Sequence, residues 1–230
     1  MSALQIRDAL ANRRGTIEEE LRREIVRIGK WLYRLGYMPA TSGNLSVRLD
    51  EHRLLVTPTG VSKYLLRRAD MVMVDLEGRQ LGGSRRATSE LGMHLTFYRE
   101  RDDVQAVIHS HPPVATAFAC AGRALDELLC QEAAMTLGPV PLARYATTGT
   151  DEVADSVRPF IPAYDTILLA NHGAVACGTT LLDAFLKMET LEHVAQIRLA
   201  VHQLGSFTTL AQEQEERLRL ARERYLENVQ

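Results

Sequence analysis

Long apolar runs are missing from this chain of 230 residues, and none is continuous enough to cross a bilayer, which argues against a helical membrane span. Met1 to Gly15 are polar and arginine-bearing, without the apolar run and small-residue cleavage site of a secretory signal. Cysteine is scarce. Cys120, Cys130 and Cys177 are odd in number, far apart and form no C-x-x-C pair, which argues against a disulfide framework and a zinc knuckle. A reducing compartment fits that usage, so the expected location is cytoplasmic. A surplus of positive charge is also lacking: 27 basic residues face 29 acidic ones, the net charge is −2, and no basic block stands out. No nucleic-acid partner is expected from such a balance. Internal repeats, low-complexity segments and flexible linkers are absent too.

With 46% hydrophobic residues the chain can bury the core of one ordinary globular domain. Thr16 and Glu19 make a capping-box pattern, and Ile17, Leu21, Ile25, Ile28, Leu32 and Leu35 recur at helical spacing as far as Gly36. Strands are expected where Leu45, Val47 and Leu49 alternate with polar residues, at Leu54 to Thr57, at Met71 to Asp75 and at Val104 to His111, the last stopped by Pro112-Pro113. Ser89 is placed to cap a helix running to about Arg99, Thr166 to Ala170 reads as another strand, and Leu181 to about Leu204 as a long helix. The chain therefore divides into an N-terminal extension (1–15), one domain (16–210) and a charged C-terminal helix or tail (211–230) that either frays or docks. Interleaved helices and strands imply an α/β layer fold with a sheet covered on both faces.

His109 and His111 stand two apart at the end of an expected strand, where the period of two points both imidazoles to one side. Such a pair can simply end a strand; a third histidine changes the weighing. His172 follows the strand Thr166 to Ala170, in Asn171-His172-Gly173, where a side chain can face a crevice beside other strand ends and Gly173 permits a sharp turn. Three neutral imidazoles suit a catalytic zinc because they leave a coordination position open, and manganese or cobalt would also be accepted. Glu90 lies at the start of the expected helix. There a glutamate alone commonly just offsets the helix dipole. Its neighbours Thr88 and Ser89 offer hydroxyls and N–H groups to a phosphate, as do the turns Thr41-Ser42-Gly43-Asn44 and Thr57-Pro58-Thr59-Gly60. Three such turns, one carboxylate and three imidazoles describe a pocket for a phosphorylated substrate chelated by a metal. His94, four residues after Glu90, is read as structural, and His52, His193 and His202 as solvated or packed histidines; Met71, Met73 and Met188 read as core filling.

The ordered set Thr41-Ser42-Gly43-Asn44-Leu45-Ser46-Val47-Arg48, Thr57-Pro58-Thr59-Gly60, Thr88-Ser89-Glu90, His109-Ser110-His111-Pro112 and Asn171-His172-Gly173 resembles the class II aldolase and adducin-head family, over about Thr16 to Leu204. Within it the pattern is most similar to the fuculose-phosphate aldolases. The resemblance implies a three-layer α/β fold with a central mixed, mainly antiparallel sheet flanked by helices, and usually a homotetramer. It implies that His109, His111 and His172 are zinc ligands, that Glu90 ligates the metal and then works as acid and base, and that Thr41, Asn44, Thr59, Gly60, Thr88 and Ser89 form the phosphate pocket. The reaction implied is aldol cleavage of a phosphorylated ketose to dihydroxyacetone phosphate and an aldehyde, with the metal stabilising the enediolate charge. Cys130 stands near the place of a family tyrosine that protonates the aldehyde oxygen from across a subunit interface; Tyr145, Tyr164 and Tyr225 are alternative donors. That departure leaves open dehydration, epimerisation or decarboxylation on the same scaffold. Two other classes are weighed. JAMM-type zinc isopeptidases need a serine and an aspartate where this chain has Ala119 and Gly122, and a non-catalytic adducin-like module would not need all three histidines and Glu90.

Overall fold

The computed structural model describes the backbone of residues 3–229 except 128, 206, 207 and 209, and the side chains of 15–224 with the same exceptions. The first helix, α1, runs Ala3–Arg34. The start expected at Thr16 is corrected: the helix passes through that residue unbroken, so the Thr16–Glu19 pattern lies within it and does not mark its start. Four strands follow, β1 (Asn44–Arg48), β2 (Arg53–Val56), β3 (Val72–Asp75) and β4 (Gln80–Gly82). Next come α2 (Leu91–Glu100), β5 (Ala106–Ser110), α3 (Pro113–Cys120), α4 (Gln131–Thr136), β6 (Leu142–Ala143) and α5 (Glu152–Val157). The chain ends with β7 (Thr166–Leu169), β8 (Gly173–Gly178), α6 (Leu181–Leu204) and α7 (Gln212–Val229). The short helices α3, α4 and α5 and the strand β8 carry no clear periodicity and were not legible beforehand. The long helix α6 has the expected span, with the Thr180 side chain accepting from the Asp183 N–H as its N-cap.

The eight strands form one sheet in the order β4-β3-β2-β1-β5-β8-β7-β6, antiparallel throughout except for the parallel pair β6–β7. Period-two alternation sorts the strand residues between two cores. Leu45, Val47, Leu55, Ala106 and Ile108 pack with Ile25, Ile28 and Leu32 of α1, Phe118 of α3 and Phe185 and Met188 of α6. Leu54, Val56, Val107, Ile167 and Val175 pack on the other face with Met93, Leu95 and Phe97 of α2 and Val153 and Val157 of α5. Helices thus cover both faces, giving the mixed, mainly antiparallel three-layer arrangement that was expected. Each fully buried aliphatic chain of this kind contributes about 1.5–3 kcal/mol. Met71 and Met188 are buried and Met73 packs against the core, as read from the sequence. The charged α7 docks rather than frays, packing on α4 with Arg222 donating to the Leu137 carbonyl.

The same alternation decides what faces α2. Leu45 and Val47 point to the α1 side, which sends Asn44 and Ser46 of β1 to the other; Val107 likewise carries His109 to that side. Asn44 pairs directly with His109 across the β1–β5 ladder, and His109 with Val175 across β5–β8. The polar ends of β1 and β5 therefore meet, next to β8, under the N-terminus of α2. Among the described residues no helix is long and apolar enough to cross a membrane.

Candidate metal centre and active site

Each of the three histidines has its own backbone support. His109, the penultimate residue of β5, is fully buried and its Nδ1–H donates to the Ala174 carbonyl at 2.9 Å. That bond leaves Nε2 as the lone-pair nitrogen and fixes the ring, the usual device by which a neighbouring acceptor orients a metal-binding imidazole. His111 sits just past β5, its backbone N–H held by the Tyr37 carbonyl at 2.8 Å. Pro112 then precedes α3, with Pro113 in its first turn. His172 belongs to the short turn between β7 and β8, where its N–H bonds the Leu169 carbonyl.

The backbone of that turn corrects one expectation. The residue in the left-handed region is Asn171, with φ of 58°, a conformation asparagine tolerates better than most residues; Gly173 does not have positive φ. Glycine is needed at 173 for space. A Cβ there would lie 2.5 Å from His111 Cδ2 and 2.6 Å from the Ser110 carbonyl oxygen. Gly43 serves both purposes, with φ of +69° and a would-be Cβ 2.9 Å from the His109 carbonyl oxygen.

Glu90 approaches the histidines from α2. It occupies the N-cap position of that helix, one residue later than the Ser89 cap expected from the sequence, and its side chain makes no cap hydrogen bond. Oε2 lies 3.3 Å from His109 Nε2, and Oε1 lies 3.3 Å from His172 Nε2. His111 Nε2 and His109 Nε2 are 3.1 Å apart, and one ligand nitrogen from each histidine falls within 4.8 Å of the others. Oε1 is buried without a hydrogen-bond partner. Burial is the main cause holding the pKa of all three imidazoles below the ordinary histidine value, that of His109 well below, so they are neutral at pH 7. His109 Nε2, left as a lone pair, and the carboxylate oxygen Oε2 of Glu90 are two acceptors 3.3 Å apart, a repulsion that a divalent cation would relieve. The donor set fits zinc, manganese or cobalt equally in type.

The three polar turns are drawn to the same place. Thr57 staples the second to β1, its Oγ1 accepting from the Leu45 N–H and its N–H donating to the Leu45 carbonyl. Pro58 bridges Ala87 in antiparallel fashion, the Thr88 N–H bonding the Thr57 carbonyl and the Thr59 N–H the Arg86 carbonyl, which ties the second turn to the third. Thr41, Thr59, Gly60 and Ser89 are exposed, and Thr88 is buried. Asn44 is buried, and its amide Nδ2 donates to Glu90 Oε2 at 2.7 Å, leaving one amide N–H over.

Two residues matter more than the sequence indicated. Lys63 is 1% exposed, and its ammonium donates to the carbonyls of Thr41 and Val61. Burial pushes its pKa down to about 8, against the pull of Glu90. Nothing in the local sequence marks that lysine as buried. His94 is fully buried, bonded to Asn44 and Ser46, and burial pushes its pKa down to about 3. Its spacing from Glu90 along one helix face was the available signal. His52 and His193 are exposed, as read. Of the alternative tyrosines, Tyr145 is 63% exposed and Tyr164 packs on Phe160, while the Tyr225 side chain lies outside the described residues. Cys130 is the N-cap residue of α4.

Comparison with known proteins identifies the family. The model of the class II aldolase and adducin N-terminal domain matches residues 23–199. An L-fuculose phosphate aldolase of Methanococcus maripaludis is 36% identical over 79% of this chain and 97% of its own length. A 5-deoxy-D-ribulose 1-phosphate aldolase of Bacillus thuringiensis is 35% identical over 86% and 92%. A 3-oxo-tetronate 4-phosphate decarboxylase of Haemophilus influenzae is 35% identical over 75% and 84%. A solved L-fuculose 1-phosphate aldolase superposes with a TM-score of 0.82 at 32% identity, covering 88% of this chain and 95% of that one. With a family model spanning most of its length and relatives matched nearly end to end, the chain belongs to the class II aldolase and adducin N-terminal domain family.

Proposed function

We propose that this protein is a metal-dependent aldehyde-lyase that cleaves a phosphorylated ketose, similar to L-fuculose 1-phosphate, into dihydroxyacetone phosphate and an aldehyde. The observation that carries the reading is the convergence of Glu90 with His109, His111 and His172 beside three polar turns. Zinc, or manganese or cobalt, held by those three imidazoles would supply Lewis-acid stabilisation of the charge that develops as the carbon–carbon bond breaks. The residues of the chain do the rest. Thr41, Thr59, Gly60, Thr88, Ser89 and the spare amide proton of Asn44 hold the phosphate, the last turn at the N-terminus of α2 where an anion is favoured. The buried Lys63 ammonium adds positive charge on that side. Glu90 Oε1, buried and without a donor, is the atom positioned to take up and return the proton. By the same resemblance the enzyme works in the cytoplasm as a homotetramer, in which an adjacent subunit would supply the proton donor for the aldehyde oxygen.

The second reading is decarboxylation of a phosphorylated oxo acid in the same pocket, favoured by the 35% identity to the 3-oxo-tetronate 4-phosphate decarboxylase. Dehydration and epimerisation use similar charge stabilisation. Protein loaded separately with zinc, manganese and cobalt should be assayed for dihydroxyacetone phosphate release from L-fuculose 1-phosphate and 5-deoxy-D-ribulose 1-phosphate, and for carbon dioxide release from 3-oxo-tetronate 4-phosphate. Aldol cleavage that Glu90→Gln and His111→Ala both suppress is the expected result. Carbon dioxide release without ketose cleavage would replace it with the decarboxylase reading, and stoichiometric metal with neither product would overturn both.

A further inference from the structure

Behind Glu90 runs a buried chain of four polar side chains, of which Asn44 already belongs to the site while Ser46, His94 and Tyr98 have been given no role in it. Asn44 Nδ2 donates to Glu90 Oε2; Asn44 Oδ1 meets His94 Nε2; His94 Nδ1 meets Ser46 Oγ at 2.6 Å; and Ser46 Oγ meets Tyr98 Oη at 2.8 Å. Asn44, Ser46, His94 and Tyr98 are each at most 4% exposed, so water does not substitute for any of these partners. They come from β1 and from successive turns of α2, at the face where β1 carries its polar residues Asn44, Ser46 and Arg48.

The direction of every bond in the chain is determined. A carboxylate only accepts, so Asn44 must present its NH2 to Glu90 and its carbonyl to His94. His94 therefore carries its proton on Nε2. Its burial keeps the ring neutral, so Nδ1 is a lone pair and must accept from the Ser46 hydroxyl. Ser46 oxygen is then free to accept from the Tyr98 phenol. Flipping the Asn44 amide would set its oxygen against the carboxylate and its NH2 against the His94 N–H, losing two buried bonds and creating two repulsive contacts.

We propose that His94 is a positioning residue for the reaction: as its neutral Nε2–H tautomer, locked by Ser46 and Tyr98, it holds the Asn44 amide so that Glu90 is fixed with Oε1 free toward the substrate. This rests on reading Glu90 as the proton-transfer group. Side-chain networks of this kind act as units, so breaking the chain near Glu90 costs more than breaking it at Tyr98.

Two measurements test it. Nitrogen-15 NMR of the zinc-loaded wild-type protein reads the His94 tautomer directly, and the expected state is protonated Nε2 with unprotonated Nδ1. Kinetics of His94→Leu should show kcat lower by roughly tenfold to a hundredfold with KM within about threefold and metal content unchanged, and His94→Gln, which restores a donor, should recover much of the loss. Ser46→Ala should lower kcat by a smaller factor and admit the other tautomer. The Nδ1–H tautomer in the wild type, or a folded, metal-replete His94→Leu enzyme with wild-type kcat, overturns the proposal. Should His94→Leu fail to fold, the wild-type tautomer and Ser46→Ala still decide. A wild-type protein inactive on every substrate would defeat the functional reading instead, and the NMR result would then stand or fall alone.

Discussion

Glu90 and Gly173 illustrate how differently single residues serve one site. Glu90→Gln keeps the shape of the side chain and the Asn44 bond but removes the basic oxygen. Turnover should fall on the order of 100- to 10,000-fold while metal content, measured on the purified variant, is retained by the three imidazoles. Gly173→Ala does the reverse. Its Cβ would intrude on the His111 ring and on the Ser110 carbonyl, at and just past the end of β5, so something must shift. A cost of about 1–3 kcal/mol is expected from such overpacking, together with a clear loss of metal affinity by titration. A third case is Lys63. Burial holds its folded pKa at about 8, below the ordinary lysine value of 10.5, so the unfolded chain binds more protons between those values. Folding is penalised while the buried amine must be charged, and the penalty eases as pH rises through that window. Lys63→Met should therefore raise the ligand-free protein's melting temperature at pH 7, and this gain should shrink above pH 8.

At the scale of elements, the site depends on how strands and helices terminate. β5 ends between His109 and His111, and α3 begins immediately afterwards with N–H groups that its own turns cannot satisfy. Glu192 of α6, only 1% exposed, supplies the acceptors, taking the N–H of Val114 on both oxygens and that of Ala115 on one. A negative group at a helix N-terminus is favourable on dipole grounds as well. Glu192→Ala would leave those donors buried and unpaired, at about 1–3 kcal/mol. Denaturant unfolding should show that loss, and because α3 follows His111 so closely, metal affinity should weaken with it. An α6 that merely packs, without orienting α3, would lose stability and keep its affinity.

For the molecule as a whole, the buried imidazoles make acid sensitivity a property of the metal-free protein. Burial pushes the folded pKa of His94 down to about 3 from the ordinary histidine value of 6.5, and holds His109 well below that value too. Below pH 6.5 the unfolded chain therefore binds protons that the folded one refuses. Stability is present in full above that pH and is lost as pH falls from 6.5 toward 3, at about 1.4 kcal/mol per pH unit for each such group. Calorimetric melts of apo protein from pH 8 to pH 4 should show this decline. Added zinc should raise the melting temperature most at neutral pH, since a ligand bound only by the folded state at a hundred times its Kd stabilises by about 2.7 kcal/mol. An apo melting temperature that is flat across this range would contradict the buried, neutral state of these rings.

Much of the site was legible along the chain because its chemistry is local. An H-x-H pair at a strand end, a histidine in a turn and a carboxylate at a helix start are short-range patterns, and the periodicities of α6 and of β1, β2 and β5 follow from which faces must be buried. The start of α1 was not legible, because helix propensity ran on through an internal T-x-x-E that resembles a cap. β8 was not either, since a strand of Gly173, Ala174, Val175, Ala176, Cys177 and Gly178 buried on both faces has no alternation to read. Nor could the order of residues say that Lys63 is buried, that Gly173 makes room for His111, or that Glu192 holds α3 from far along the chain. By itself the sequence determined which side chains can bind a metal, accept a proton and face a core, because those are properties of residue type and spacing. Only the tertiary structure decided their protonation, hydrogen-bond direction and mutual distance, because burial and contact between strands and helices distant in sequence set all three.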